Sequence, residues 1–511
     1  MARINVTERD LSWYTRQGAG PLTVYVPGVS TDGPSNPLLC NNINAFKRVF
    51  GDAIPGVLSR SYNIAASLLI AGASVLFHRF VGKTGDVSSC QIHDIITFSS
   101  KYPGVRFNDY KVECTTGSSA GSFIVVVKDI AGEVFERLTV NFSDPTSQYY
   151  YLNDLSDNFQ FKVSGDLPGD ITLNAGQLNM KGGKVGVEND SDVADLLTTG
   201  NPLNVLQDPY LYDFDVAISS GFHKNTEGTE IDPVDLEILN TVEARGTAIY
   251  LVDGLSGFSA EEFFAYCGAD SFDKSYAAAY GPWCYAKFLN TGSASLLPAS
   301  YSMLVQWIKS ASEGVPIWMA PAGVKRASLG SFFTKPKYEI GKAILDMWQN
   351  NSEDPEVDVY KINPIMRAKN YGYVVYGNST LLHNSLEGET SMLQSVGTRV
   401  LANTIKKDAF DIALSLQFDQ MVGDLYAQFK TLLSVKLDAL KYQGGLYDYR
   451  ISLNDSIVTV GDVNQRRIPV KIQISPAPAV ENFDITLEIT KAGVMFSDDG
   501  TTTTVDLTEN S

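Results

Sequence analysis

Gly117-Ser118-Ser119-Ala120-Gly121 has the letter pattern of a nucleophile elbow, in which a serine on a sharp strand-to-helix turn attacks an acyl carbon while a histidine takes its proton. The run lies between β-prone stretches, so its context predicts a hairpin loop and leaves a serine hydrolase using Ser119 as a distant alternative. His78, His93, His223 and His383 are isolated, with no His-x-x-x-His pair and no cysteine at ligand spacing. Asp190, Asp192 and Asp195 share a polar stretch, but the glycine and the bidentate glutamate of a calcium loop are not in place, and a solvated loop is expected there. No glycine-rich phosphate cradle occurs. The residues therefore predict no catalytic set, no metal and no cofactor.

The chain has 511 residues, 44% hydrophobic and 19% charged, which suits several globular domains and excludes wholesale disorder. No run of about 18 apolar residues is present, so neither membrane insertion nor a secretory signal is expected. Cys40, Cys90, Cys114, Cys267 and Cys284 are widely spaced and odd in number, as for reduced thiols rather than a disulfide framework. The net charge is −18, and residues 86–235 hold 23 acidic against 9 basic side chains, whereas residues 361–475 hold 13 basic against 10 acidic. Lys and Arg do not cluster among aromatics, so nucleic acid is not an expected partner. An acidic partner surface could face the second window.

Local patterns place the elements that would position any site. Leu22, Val24 and Val26 alternate with Thr23 and Tyr25 before Pro27-Gly28, which predicts a strand. Asn41 or Asn42 can cap a helix through Phe46 to Gly51; a second helix through Ile64 and Leu68, then a strand from Val75 to Val81, follow. From about residue 85 short alternating runs broken by Gly, Ser and Asp, among them Phe123 to Val127, Val134 to Val140 and Tyr149 to Tyr151, predict a mainly β domain. Near residue 210 strand and helix begin to alternate: Asp232-Pro233 starts a helix that Gly246 ends, and Ser259 with Glu262 forms a capping box. Phe410 to Leu437 recur at three- and four-residue spacing, which predicts one or two long amphipathic helices. Ile468, Val470, Ile472 and Ile474, then Phe483, Ile485, Leu487 and Ile489, predict two strands with one apolar face each.

The rarest residues concentrate elsewhere, in Ala277-Ala278-Ala279-Tyr280-Gly281-Pro282-Trp283, Leu297-Pro298-Ala299-Ser300 and Trp318-Met319-Ala320-Pro321-Ala322-Gly323. Pro282 and Pro321 remove amide donors, so the block reads as two strand ends, the second closing a strand from Val315 to Met319, around a helix through Leu304, Trp307 and Ile308. In order and spacing it resembles the central signature of contractile tail sheath proteins of tailed bacteriophages and related injection machines. Gly33-Pro34-Ser35-Asn36-Pro37, Asn44-Ala45-Phe46, Phe50-Gly51, Tyr102-Pro103-Gly104 with Asn108, Ile362-Asn363-Pro364-Ile365, Gly372 to Gly377, Thr380-Leu381, Arg399, Gly444-Gly445-Leu446 and Ile474 to Pro478 are similar to that family's motifs, in family order. Tyr376 stands where Trp is usual, Asn378-Ser379 replaces Ala-Arg, and Arg399 is single where the family often has two, as in a divergent member.

The resemblance implies an α+β multidomain chain: an α/β core sheet with an inserted mainly β outer domain and an α+β C-terminal domain flanked by extended terminal arms. Its expected boundaries are residues 1–28 (N-terminal arm), 29–84 (first part of the core), 85–209 (outer domain), 210–360 (α/β core), 361–490 (C-terminal assembly domain) and 491–511 (C-terminal arm). It implies a non-enzymatic virion tail subunit, assembled in the host cytoplasm as stacked hexameric rings around a tail tube, with baseplate and tail terminator proteins as further partners. A non-contractile baseplate or capsid protein is the alternative within the structural class. Sheath subunits are linked by arms that add strands to neighbouring sheets. On that basis Leu22, Val24 and Val26, together with Ile468 to Ile474 and Phe483 to Ile489, are expected to exchange strands between subunits. The positive C-terminal window nominates Lys430, Lys436 and Lys441 to face the tube, with the acidic window outside.

Overall fold

A computed structural model describes residues 22–118, 121–167, 171–174, 176–225, 230–349, 360–383, 391–420, 423–453, 462, 465–479, 494–496 and 502–504. The fold opens with β1 (Thr23–Gly28) and β2 (Leu38–Cys40), followed by α1 (Ile43–Phe50), α2 (Ser59–Ala71) and β3 (Ser74–Arg79). Asn42 is the cap of α1, accepting from the Ala45 N–H, and Gly51 at φ 68° stops the helix.

A β insertion leaves the core after β3. Its strands are β4 (Ser89–His93), β5 (Ile96–Ser100), β6 (Lys111–Thr116), β7 (Ser122–Lys128), β8 (Val134–Asn141), β9 (Phe159–Val163) and β10 (Gln177–Asn179). They form two antiparallel sheets, ordered β4-β5-β9 and β10-β6-β7-β8, around a core of its own that includes Phe98, Val112, Val125 and Val140. Entry and exit run side by side: the Gly82 N–H donates to the Val185 carbonyl at 2.9 Å, and Asp86 bridges Lys184. Glycine is required there, because a Cβ on Gly82 would stand 1.8 Å from the Gly186 carbonyl oxygen. Arg79, 1% exposed, joins both bodies by donating to the carbonyls of Ser30 and Gly33 in the core and Pro103 in the insertion.

After residue 187 the chain is back in the core, earlier than the expected boundary at 209. Val193, Ala194, Leu197, Leu203 and Leu206 all pack in the core cluster rather than in the insertion. The Asp190 to Asp195 stretch is not a loop but α3 (Asp190–Thr198), started by a capping box between Asn189 and Asp192. Most of the acidic excess moves with it, since residues 188–235 carry 11 acidic and 1 basic side chains against 12 and 8 in residues 86–187. The insertion is thus only mildly acidic.

The second half of the core is β11 (Val216–Ile218), α4 (Pro233–Arg245), β12 (Ile249–Val252), α5 (Ala260–Cys267), β13 (Ala277–Gly281), β14 (Cys284–Lys287), β15 (Ala294–Leu297), α6 (Ala299–Ser312), α7 (Gly323–Arg326), β16 (Phe333–Pro336), α8 (Lys342–Trp348), β17 (Asn363–Ala368) and β18 (Gly372–Val375). Asp232-Pro233 and the Ser259–Glu262 box start α4 and α5 as their residue types require. One eight-stranded sheet results, ordered β18-β17-β13-β12-β11-β1-β3-β2, parallel from β17 to β3 with an antiparallel strand at each edge. Both faces are covered. Val24, Val26, Phe77, Ile218 and Leu251 face one cluster with α2 and α6; Tyr25, Leu76, Ala217 and Tyr250 face the other with α4 and α5.

This placement overturns the reading of Leu22, Val24 and Val26 as an exchanged arm. β1 pairs in parallel with β11 on one side and β3 on the other, so it has no free edge for a neighbour. All three side chains are 0% exposed, and withdrawing them would lose roughly 1.5–3 kcal/mol apiece. The expected strand from Val315 to Met319 is a turn instead, since Pro316 cannot donate and the Ile317 carbonyl accepts the Trp307 indole N–H. Tyr149 to Tyr151 likewise form no strand, only a bridge from Tyr150 to Asn141.

The chain continues into α9 (Val396–Ser415), α10 (Gly423–Tyr442), β19 (Leu446–Ser452) and β20 (Lys471–Pro476), the last two paired antiparallel as a two-stranded ribbon. Phe483, Ile485, Leu487 and Ile489 lie outside the described residues.

Candidate assembly surfaces

Strand order reverses between β1 and β11, and the carboxyl ends of strands at such a point are where open α/β sheets usually hold a ligand. Here the crevice is occupied by the chain itself. Arg60 donates to the carbonyls of Ser220 and Gly221, each at 2.9 Å, and to the Asp190 carboxylate at 2.7 Å. Its guanidinium lies over the rings of Phe222 and Trp283, and a Cβ on Gly221 would meet Trp283 at 2.7 Å. Ser119 is outside the described residues, but β6 and β7 on either side are antiparallel neighbours, so the connection is a hairpin and not the strand-to-helix turn of a nucleophile elbow. His78 and His93 sit on β3 and β4, and His223 and His383 follow β11 and β18. Among the described residues, no group of three or more His, Cys, Asp or Glu side chains is placed to share a metal ion.

One buried acid stands out at the end of β12. Asp253 accepts from the Ser300 N–H at 2.7 Å and the Ser300 hydroxyl at 2.6 Å, which ties the sheet to the first turn of α6. Burial pushes its pKa up to about 7, against the opposing effect of the Ser300 hydrogen bonds. The folded protein thus binds a proton between about pH 4 and 7 that the unfolded chain has released, so this group lowers stability as pH rises through that window. Asp253→Asn keeps a neutral acceptor for the Ser300 N–H. Relative to the variant, the wild type should lose on the order of 4 kcal/mol between pH 4 and pH 8. Urea unfolding of both proteins at the two pH values measures it, and parallel pH profiles would refute the assignment.

The C-terminal unit is seated on the core by α9 and by the Trp318 turn. Arg399 donates to the Ser275 hydroxyl at 3.1 Å and lies 4.4 Å over the Tyr276 ring, while Asn403 donates to the Ala248 carbonyl at 3.0 Å. Lys407 reaches Asp215 at 2.5 Å and Asp213 at 2.9 Å; burial disfavours its charge, but the two carboxylates outweigh that and hold its pKa above the usual lysine range. Trp318, 8% exposed, contacts two glycines of the unit. A Cβ on Gly397 would stand 2.9 Å from the Trp318 carbonyl oxygen, and one on Gly445 2.9 Å from the indole ring. Trp318, at the end of the rare-residue block, is therefore a seat for the C-terminal unit. Sequence reading placed this stretch in a strand and missed the role; the pairing of Trp318 with Gly444-Gly445 was the available signal.

α10 turns Phe429, Leu433, Leu437 and Leu440 inward, and the ribbon packs beside it. Ile472 and Ile474 lie in β20, with Ile468 and Val470 just before it, and all four pack half-buried against the core. Among the described residues β19 and β20 pair only with each other, so each has one edge that no described strand covers. The three lysines do not form one basic face. Lys436 turns toward α9 and pairs with Asp408 at 3.4 Å, Lys441 pairs with Asp448 on the ribbon at 2.9 Å, and Lys430 lines the groove beside Lys441 and Arg450. The outward side of α10 instead carries Leu432, Val435, Ala439 and Tyr442, all exposed and spaced three-four-three.

A doubly covered, mostly parallel sheet that carries a β insertion and seats a C-terminal helix pair with an open ribbon has the fold of the tail sheath proteins. The sheath tail protein of Listeria innocua superposes with a TM-score of 0.62 at 12% identity, covering 91% of this chain and 94% of that one. The sheath tail protein of Desulfitobacterium hafniense gives 0.50 at 12% identity over 89% and 94%, and the helical sheath of the anti-feeding prophage in its contracted state gives 0.51 at 12% over 96% and 98%. In sequence, the chain resembles the tail sheath protein of Vibrio phage KVP40, 21% identical over 183 residues. That match covers 35% of this chain and spans 25% of the phage protein. No family model matches the chain.

Proposed function

We propose that this chain is the repeating subunit of a contractile tail sheath, a structural protein of the virion tail. In this reading it assembles in the host cytoplasm, polymerises as stacked hexameric rings around an inner tail tube, ends at baseplate and terminator proteins, and contracts to drive the tube through the host envelope. The observation that carries the reading is the end-to-end likeness of fold to sheath proteins, one of them in a contracted helical sheath. The open ribbon agrees with it, because backbone hydrogen bonds from a neighbour's added strand can hold subunits together while the flanking chain absorbs movement. With β1 committed to the core, the joining arms would be residues 1–21 and the chain after Pro476. The filled switch-point crevice supports a structural role over a catalytic one.

Negative-stain microscopy of the purified full chain tests this. Hollow tubes or rings of uniform diameter are expected on concentration. Closed shells, or monomers only at every concentration, would refute the sheath reading.

A further inference from the structure

A track of exposed apolar side chains runs along the far half of α9. Tyr210 and Leu211 are 65% and 66% exposed, and the Tyr210 ring packs on Phe410 at 5.1 Å. One turn on from Phe410 stands Leu414, 45% exposed, and Phe418, 93% exposed, follows in the exit turn. The track ends at an open groove of about 800 Å³ between the end of α9, α10 and the approach to β20. Leu416, Leu425, Phe429, Ile468 and Val470 line it together with Phe418. A contiguous apolar surface of this kind marks a contact.

The chain itself supplies an occupant, because its amino-terminal end leaves the core beside this track. α9 crosses the amino ends of the sheet strands in order: Arg399 bonds Ser275 ahead of β13, Asn403 bonds Ala248 ahead of β12, and Lys407 pairs with Asp215 ahead of β11. Each step is four residues, about 6 Å of helix, close to the spacing of strands. β1 is next in the sheet, and the Thr23 N–H donates to the same Asp215 carboxylate at 2.8 Å. The chain ahead of Leu22 therefore departs near Phe410 and Asp411, about 10 Å along the helix from the groove. From Thr15 to Pro21 the sequence carries no large apolar side chain, and then Tyr14, Trp13 and Leu11 come together. A nine-residue tether reaches about 15 Å on average, which brings Trp13 to the groove. Arg9 and Arg16 bracket Trp13, and the exposed Asp411 and Asp419 follow Phe410 and Phe418.

We infer that in the free subunit the chain's own N-terminal arm is parked in this groove, with Trp13 as its anchor, until assembly draws it out. At the millimolar effective concentration of so short a tether, a contact as weak as about 0.1 mM holds the arm docked about ten to one. A neighbour's arm at micromolar concentration does not compete. The docking stands on this chain alone; its consequence for assembly rests on the sheath reading above. A docked arm is not free to join a neighbour, so about a tenth of the subunits is competent at any moment and polymerisation needs about tenfold more protein. The contact adds little to global stability, since a ratio of about ten moves the melting of a chain of 511 residues by only about a degree.

The test uses the full-length chain at about 1 μM, with a photo-crosslinking benzoylphenylalanine in place of Tyr14 and Trp13 kept, in an equal mixture of ordinary and isotopically heavy protein. Mass spectrometry should find crosslinks to residues 413–429 or 466–470 within single chains, with pairs of heavy and ordinary chains below about a tenth of the total. Leu414→Ser with Phe418→Ser should cut those crosslinks about fivefold or more and leave melting within about two degrees. The same variant should form rings or tubes at about a tenth of the wild-type concentration, as followed by light scattering and microscopy. Crosslinks scattered over the surface, or joining heavy to ordinary chains, overturn the inference and leave the sheath reading in place. A groove variant that loses the crosslinks yet assembles no earlier than the wild type also overturns it, because the groove then does not hold the arm back. If the wild type forms neither rings nor tubes at any concentration, the sheath reading fails, and the crosslinks still decide the docking.

Discussion

Trp318→Ala is expected to loosen the entire C-terminal unit from the core, at a cost of about 3–5 kcal/mol. The indole is buried against Gly445, and its backbone carbonyl is close-packed against Gly397, so one residue touches both the start of α9 and the turn into β19. Removing the ring leaves a cavity that the glycines cannot fill, because they have no side chain to move into it. Trp318→Phe should recover most of the loss. Urea unfolding followed by circular dichroism gives the size, and trypsin cleavage at Lys406 or Lys407 of α9, whose amines are held on the core in the intact fold, reports whether the unit detaches first. A change below about 0.5 kcal/mol would show that this seat is not what holds the unit.

Deletion of residues 1–20 is expected to abolish polymerisation and leave the monomer's melting unchanged. Among the described residues Leu22 is the first to bond the core, its carbonyl accepting from the Ser74 N–H, so the deletion touches no described element. Deleting residues 492–511 should have the same outcome; the described residues it removes are the short hairpin of Val494–Phe496 with Thr502–Thr504. The effect is all-or-none because each link in a polymer made by strand addition needs a strand donor as well as an open edge. Truncated protein that still forms long tubes would rule out these arms as the links. A truncated monomer that melts early would mean the segment belongs to the core instead.

Residues 188–209 and the three lysines show how a charge count misleads. Acidic residues in the 188–235 window are largely structural: Asp190 holds Arg60, Asp195 holds Lys224, Asp213 and Asp215 hold Lys407, Asp232 caps α4, and Asp235 accepts from Tyr250 and Tyr266. A sequence window counts those charges but cannot show that their partners lie far along the chain.

What the amino-acid sequence determined by itself is local. Asp232-Pro233 and Gly246 bound α4, Ser259 with Glu262 starts α5, Asn42 and Gly51 bracket α1, and the period of two around Ile472 and Ile474 makes β20 a strand, because caps and periodicity act between residues a few positions apart. The motif order in the rare-residue block, read as a resemblance, also anticipated the fold shared with sheath proteins. The tertiary structure alone decided which elements meet. Alternation at Leu22, Val24 and Val26 specifies a strand, but only pairing to β3 and to β11, which follows Asp215, 192 residues from Thr23, makes it central to the core rather than an arm. The same holds for Trp318 beneath Gly445 and for Lys436 beside Asp408. Those contacts arise from long-range packing, which a pattern of neighbours along the chain does not encode.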